Sequence, residues 1–549
     1  MTLGEKIAVM RTLANLSQEQ LAEKLQVSRQ SVSKWESGKN APDLTTLLKI
    51  ADVFGLTTDE LLRDELPLSP TYIEPLFRPK ESVNEKLKYF GTDGFRGEAG
   101  EALTAEQAFK IGRFLGWYFS AALSGRPVNH KARVVIGKDT RLSSYMFEYA
   151  IVAGLTASGA DVYMLHVTTT PSVSYVVRQD GFDCGVMISA SHNPYYDNGI
   201  KLINANGEKM EDAVLLLAEK YLDGDLRQFE TENGDLPAAK REKIGRITDY
   251  TAGRNRYVGY LISLAANSYR PLHIALDCAN GASWMIARAV FSALGANISV
   301  IGDEPNGLNI NENIGSTQTG KLQKFVRENR CDVGYAFDGD ADRCIAVDNE
   351  GNIVNGDHIV YILAVMLRRK GLLKNNAVAA TVMSNLGFFK ALEEAGIGCV
   401  QTTVGDKFVY DAMVEHDLSI GGEQTGHTIL GKYASTGDGI LTAIMLTECM
   451  IESKKSLKEL ASPVKMYPQT VKNVTVKNKA AVTADPVVRA TLEQISGELG
   501  DAGRILLRES GTEPVVRIMV EATTRKQCDS CAARLAECIL KQGYNWKGE

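Results

Sequence analysis

The chain has 549 residues, of which 44% are apolar and 23% charged, with a formal net charge of −6. That length suggests about three to five domains of ordinary globular composition, and the acidic balance excludes a general pull toward nucleic acid or anionic membrane. No apolar run reaches the ~18 residues of a membrane span, and the charged start lacks a signal peptide's apolar core, so a cytoplasmic protein with no membrane contact is expected.

The first 65 residues read as all-helical. Ile7, Met10 and Leu13 recur on one face. Ser17 and Gln20 form a capping box ahead of a second helix with Leu21, Ala22 and Leu25 inward. Ser28 caps a third helix carrying Val32 and Trp35, and Gly38 ends it in the left-handed conformation. Pro42 and Asp43 open a fourth, with Leu44, Leu47, Leu48 and Ala51 inward, and Leu61 and Leu62 close a short fifth. This order is a helix-turn-helix bundle, and SQEQLAEKLQVSRQSVSKWESGKNAPD resembles the lambda-repressor-like family. The resemblance implies that Ser28 to Glu36 is a recognition helix. Arg29, Gln30, Ser31, Ser33 and Lys34 would face the major groove of double-stranded DNA, with Gln18 on a phosphate. Residues 1–65 carry 8 basic and 10 acidic side chains, so binding must rest on a local patch (Arg29, Lys34, Lys39) and on helix N-termini. The other reading of this domain is a docking or dimerisation module.

Residues 66–86 contain Pro67, Pro70, Pro75 and Pro79, which favours an extended spacer. Beyond it, apolar runs such as ARVVIG, CGVMIS, LHIALD, CDVGYAF and AVAATV alternate with helical stretches, the pattern of α/β domains with largely parallel sheets. The nine cysteines are scattered, as reduced thiols are. Cys528 and Cys531 form the only CxxC, and with Leu535 and Cys538 they fit one apolar helix face rather than a metal or redox site.

Five motifs carry chemistry. Phe90-Gly91-Thr92-Asp93-Gly94-Phe95-Arg96-Gly97 frames one arginine with glycines, as in a cleft. In Ser189-Ala190-Ser191-His192-Asn193-Pro194, Ser191 lies past a buried strand in a turn forced by Asn-Pro. No Asp/His pair of triad type is evident nearby, so it can take and give a phosphoryl group. Asp338, Asp340 and Asp342 alternate after the strand Val333 to Phe337. Such close like charges need a bridging cation, and hard oxygen ligands favour Mg²⁺ over zinc. An EF-hand loop is excluded by Arg343 at its sixth position and Asn349 at its twelfth. Arg343 can hold the same phosphate. Gly421 to His427 packs Glu423, Gln424 and Thr425 beside three glycines, suited to sugar hydroxyls or an amine, with His427 a proton carrier. Arg508, Ser510, Gly511 and Thr512, with Arg517 beyond, form a phosphate cradle.

In this order, FGTDGFRG, SASHNP, DGDADR, GEQTGH and RESGTEP resemble the α-D-phosphohexomutase superfamily across residues 87–549. GGEQTGH, DCANGA, PNGLNIN and TVGDKFV resemble its bacterial phosphoglucosamine mutase branch. The resemblance implies a multidomain chain: the helix-turn-helix domain over 1–65, a linker over 66–86, three α/β domains over 87–245, 246–355 and 356–465, and a C-terminal α+β domain over 466–549. It implies a phosphoserine at Ser191, Mg²⁺ on Asp338, Asp340, Asp342 and the Ser191 phosphate, and Arg96 and Arg343 on the transferring phosphoryl. Lys201 and His427 would be acid and base, Glu423, Gln424 and Thr425 would contact the sugar, and Arg508, Ser510, Gly511, Thr512 and Arg517 would hold the non-reacting phosphate. The expected substrate is a hexose phosphate, specifically an amino-sugar phosphate, converted through a sugar 1,6-bisphosphate. Phosphoglucomutase/phosphomannomutase activity and a sugar-phosphate-responsive transcription regulator are the other readings, and helix-turn-helix pairing makes a homodimer possible. This sequence departs from the superfamily pattern at Glu509 (usually Pro), Thr403 (often Lys), Thr425 (often Ser) and Ser144 (often Gly), and Glu509 must point away from a phosphate.

Overall fold

The computed structural model describes residues 3–13, 17–25, 27–36, 38–54, 87–120, 130–229, 231–510 and 514–544. The expected fifth helix at Leu61 and Leu62, the spacer 66–86, and Gly511 and Thr512 lie outside these residues.

Among the described residues, four helices open the chain: α1 (Leu3–Leu13), α2 (Gln18–Leu25), α3 (Arg29–Glu36) and α4 (Leu44–Phe54). Their starts follow the caps. Gln20 N donates to Ser17 Oγ and Ser17 N to Gln20 Oε1, Ser31 N donates to Ser28 Oγ, and Thr46 N to Asp43 Oδ1. Gly38 follows α3 at φ +68°. Ile7, Met10, Leu21, Ala22, Leu25, Val32, Trp35, Ile50, Ala51 and Phe54 make the core. Leu48 is a correction: it is 49% exposed. The inward stripe of α4 is Leu47, Ile50, Ala51 and Phe54, the i, i+3, i+4, i+7 spacing, and Leu48 falls off it.

The described residues beyond this bundle form four sheets. The first joins β1 (Phe90–Gly91), β2 (Gly94–Glu98), β3 (Arg133–Lys138), β4 (Asp161–Val167), β5 (Cys184–Ile188), β6 (Asp197–Asn204) and β7 (Ile247–Asp249), in the order β1-β2-β6-β5-β3-β4-β7. Its last strand lies past residue 245, where the first α/β domain was expected to end. The second joins β8 (His273–Asp277), β9 (Asn297–Ile301), β10 (Val333–Phe337), β11 (Cys344–Asp348) and β12 (Ile353–Val354), ordered β12-β11-β10-β8-β9. The third is β14-β13-β15-β16, from β13 (Ala377–Thr381), β14 (Gly398–Thr402), β15 (Ile420–Gly422) and β16 (Thr428–Leu430). The last is β17-β19-β18, from β17 (Gln469–Thr475), β18 (Arg504–Glu509) and β19 (Val515–Glu521).

Each of the first three sheets is parallel along one side and antiparallel along the other. β3 pairs in parallel with β4 and β5, β8 with β9 and β10, and β13 with β14 and β15. The strands that carry the chemistry turn back antiparallel: β5 to β6, β10 to β11 and β15 to β16. The β1–β2 and β18–β19 pairs do the same. All five sequence motifs are therefore hairpin connections, and "largely parallel" gives way to a mixed topology. The cause is loop length: a short polar turn closes a hairpin, whereas a parallel crossover needs a dozen or more residues.

By contacts the chain divides into two compact units. The first is residues 1–258 with 280–282 and 304–310; the second is 259–279, 283–303 and 311–549. No helix among the described residues is long and apolar enough to cross a membrane. Cys528 and Cys531 are buried on the helix Arg525–Lys541 against the last sheet's core.

Candidate active site

In the first unit, Ser191 is fully buried at φ +52°. A non-glycine residue in that region costs about 1–2 kcal/mol, so neighbouring contacts must hold it there. Ser191 N donates to Ser189 Oγ at 2.9 Å, and Ser189 Oγ donates to Asp139 Oδ2 at 2.7 Å. The guanidinium of Arg141 donates to the carbonyls of Ser191, Asn193, Pro194 and Asp197. Ser144 uses its hydroxyl on Asp139 and accepts from Asn198 Nδ2, so a side chain where glycine is common adds to this network.

The β1–β2 hairpin lies along β6, with Arg96 opposite Gly199. Gly94, at φ +86°, brings its backbone so close that a Cβ would lie 2.5 Å from Ile200 O. Arg96 reaches Asn193 Oδ1 at 3.3 Å and pairs with Asp93. The buried Lys201 ammonium lies 3.1 Å from the same carboxylate, and Lys209 lies 3.7 Å from it. The structure thus brings Ser191's loop, Arg96 and Lys201 together around Asp93.

In the second unit, Asp338, Asp340 and Asp342 are buried, and one carboxylate oxygen from each lies within 4.8 Å of the others. Ala341, at φ +57°, makes the bend, and Arg343 N donates to Asp338 Oδ1. Three gathered hard-oxygen donors suit a divalent cation of the magnesium type. The β15–β16 connection lies against this loop: Cys344 N donates to Gly426 O, and Arg343 and His427 form a β-bridge.

His427 is buried, with Nδ1 3.7 Å from Asp342 and Nε2 3.4 Å from Asp406. In the neutral form of the ring, Nε2 accepts from Gly437 N at 3.0 Å and the proton lies on Nδ1, facing Asp342. Burial pulls the pKa down, but Asp406, Asp342 and Glu423 outweigh it and raise it to about 9. The hydrogen bond sets the tautomer, and the carboxylates set the affinity for a second proton.

Glu423 is half-buried and accepts from Gly405 N at 3.1 Å; Thr425 is exposed and lies 3.4 Å from Glu423 Oε2. Gln424 is half-buried, and its carbonyl accepts from Gly356 N. The segment TVGDKFV therefore touches this loop twice, through Gly405 and Asp406.

On the last sheet, Arg508 and Arg517 stand opposite each other on β18 and β19. Like charges directly opposite are unfavourable without an anion between them; burial and then Arg517 lower the Arg508 pKa. Ser510 is buried, and Lys479 Nζ donates to its carbonyl at 2.6 Å. Glu509 accepts from Thr483 Oγ1, as its expected outward course requires.

On the opening bundle, Arg29, Gln30, Ser33 and Lys34 are exposed, and Ser31 is half-buried beside Ser28. The Gln18 amide donates to Glu36 at 2.7 Å, and Arg11 pairs with the same carboxylate.

Sequence reasoning missed Asp93, Asp139, Arg141, Ser189, Asp406 and Lys479. The signal for two of them was present: Asp139-Thr140-Arg141 directly follows a buried strand, a charged pair at a strand's carboxyl end.

Family models match most of the chain. The phosphoglucomutase/phosphomannomutase alpha/beta/alpha domains I, II and III match residues 87–225, 255–351 and 355–467, its C-terminal domain matches 472–538, and a helix-turn-helix matches 7–61. The phosphoglucosamine mutase of Lachnospira eligens is 55% identical over 460 residues, 83% of this chain and 99% of the relative. That of Bacillus subtilis is 46% identical, again over 83% of this chain and 99% of the relative. Among solved structures, a phosphoglucomutase/phosphomannomutase family protein from Burkholderia thailandensis aligns with TM-score 0.68 at 22% identity, over 84% of this chain and 99% of that one. The Aspergillus fumigatus N-acetylphosphoglucosamine mutase in complex with GlcNAc-6P and magnesium aligns with TM-score 0.61 at 18% identity, over 83% and 96%. Both are alike in fold.

Proposed function

The chain belongs to the phosphoglucosamine mutase family, with a helix-turn-helix domain ahead of four mutase domains, and from that membership we propose that it interconverts glucosamine 6-phosphate and glucosamine 1-phosphate. The observation that carries the reading is Ser191, whose backbone is locked at a hairpin turn in the company of Arg96 and Lys201.

PhosphoSer191 gives its phosphoryl to the sugar O1: the new O1–P bond forms as Oγ–P breaks, and the O1 proton passes to a base. The 1,6-bisphosphate turns over in the site. The phosphoryl at O6 then returns to Ser191 Oγ, and O6 regains a proton as glucosamine 1-phosphate leaves. Asp338, Asp340 and Asp342 are the residues that would hold Mg²⁺, whose chemistry when bound is to neutralise phosphoryl oxygens. Arg96 and Arg343 bind the spread charge of the transferring group. Lys201 and His427 move the protons. Glu423, Gln424 and Thr425 orient the sugar, and Arg508, Ser510, Gly511, Thr512 and Arg517 hold the phosphate not in transfer.

The test is a panel of glucosamine, glucose and mannose 6-phosphates with purified enzyme and Mg²⁺. The reading expects the highest kcat/KM on glucosamine 6-phosphate. A preference for glucose or mannose moves the chain to phosphoglucomutase/phosphomannomutase activity, and no turnover on any of them ends the mutase reading.

For the opening domain, the exposed Arg29, Gln30, Ser33 and Lys34 favour DNA binding at a site that the chain recognises while it works as an enzyme. Genome-wide DNA capture with the full chain should enrich discrete sites, and no enrichment leaves a docking module. A homodimer is supported by the helix Leu142–Ala157, whose exposed positions Leu142, Tyr145, Met146, Tyr149 and Ala153 are all apolar. Sedimentation should show a dimer that Tyr149→Glu splits; a monomeric parent overturns this.

A further inference from the structure

Asp139 and Arg141 sit just beyond β3, and both side chains are fully buried. One oxygen of Asp139 accepts from Arg141 N at 3.0 Å and Ser144 Oγ at 2.7 Å. The other accepts from Arg141 Nε at 2.8 Å and Ser189 Oγ at 2.7 Å. From this carboxylate two arms reach Ser191. One runs through Ser189, whose Oγ gives its proton to Asp139 and accepts the Ser191 N–H at 2.9 Å. The other runs through Arg141, whose Nη2 donates to Ser191 O at 3.0 Å and to Asn193 O at 2.9 Å. Its Nη1 donates to the carbonyls of Asp197 and Pro194, which close the turn. Both backbone polar groups of Ser191 are thus tied to one buried anion.

Resting on the reading of Ser191 as the phosphoryl carrier, we infer that Asp139, through Ser189 and Arg141, is the positioning residue that holds Ser191 in its left-handed conformation and so aims its Oγ for transfer. The fork geometry explains the residue types. Only a guanidinium serves four carbonyls from one centre, and only an ionised carboxylate accepts four donors at once. A serine at 189 passes on the carboxylate's hold, since its hydroxyl donates in one direction and accepts from the other.

The test compares Ser189→Ala, Asp139→Asn and the double variant in the full chain with glucosamine 6-phosphate and Mg²⁺, with Tm recorded for each. Ser189→Ala should lower kcat about tenfold and Asp139→Asn about a hundredfold, with KM within about twofold, because aim is lost and binding is not. The double variant should be no slower than Asp139→Asn alone, since the Ser189 arm is already lost with its Asp139 anchor. If Asp139→Asn does not fold, Ser144→Ala replaces it in the cycle with the same non-additive expectation. Full kcat in Ser189→Ala, losses that multiply, or a loss confined to KM overturns the assignment. Ser191→Ala is run alongside: if it keeps turnover, the phosphoserine reading itself fails, whereas an inactive Ser191→Ala beside an unimpaired Ser189→Ala sinks only the positioning role.

Discussion

At the scale of single residues, charge is gathered where nothing in a plain fold requires it. Arg508 and Arg517 face each other across two strands, and the proposed function has both hold the phosphate not in transfer. Arg517→Ala should therefore raise KM for glucosamine 6-phosphate by about 10- to 100-fold, the worth of one charge-assisted contact, with a smaller change in kcat. Steady-state kinetics checks this, and an unchanged KM contradicts it. His358 offers a pH test. It is buried near the start of the helix Gly356–Arg369, with Nδ1 2.6 Å from Asn355 Oδ1, and burial pushes its pKa down to about 4. Between the ordinary histidine value and that one, the unfolded chain binds the proton and the folded chain does not. The stability from a neutral His358 is thus present above that window and is lost as pH falls through it. Relative to His358→Gln, the parent should lose up to about 2 kcal/mol on going from pH 7 to pH 5. Thermal melts at both pH values read the difference, and a constant gap between the two proteins refutes it. The gathering of Asp338, Asp340 and Asp342 was legible in the sequence because the three alternate over five residues after a strand. The contacts of Asp139 with Ser189 and of Asp406 with His427 were not, because the partners are distant in sequence and only folding joins them.

At the scale of elements, local signals performed well and pairing direction did not. The Ser17–Gln20 box, the Ser28 cap and the Gly38 stop all stand where the residues required. Leu48 failed because apolar character alone was counted without the phase of the helix. Two of the chemical loops, SASHNP and DGDADR, were expected after strands, but their hairpin nature was hidden: strand direction depends on which partner the chain meets, and a run such as CGVMI carries no sign of it. In the opening bundle, Gly4 approaches α3 so closely that a Cβ would lie 2.3 Å from Trp35 O. Gly4→Val should unfold this bundle while leaving mutase turnover within about twofold of the parent, since a separate core carries the chemistry. Helical circular dichroism with activity on the same sample checks it, and a parallel loss of both contradicts it.

At the scale of the whole molecule, the matched relatives are covered almost to their ends by 83% of this chain. The four matched mutase domains all lie after the opening helices, so deleting residues 1–86 should leave kcat and KM within about twofold while abolishing DNA capture. The central claim is that Ser191 carries the phosphoryl group. It is tested most directly by ³¹P NMR of stoichiometric phosphoenzyme mixed with glucosamine 6-phosphate and Mg²⁺. The account predicts that the phosphoserine signal falls as 1,6-bisphosphate and then glucosamine 1-phosphate appear, and that Ser191→Ala forms neither; conversion by Ser191→Ala, or a phosphoserine signal that persists while product accumulates, would contradict it.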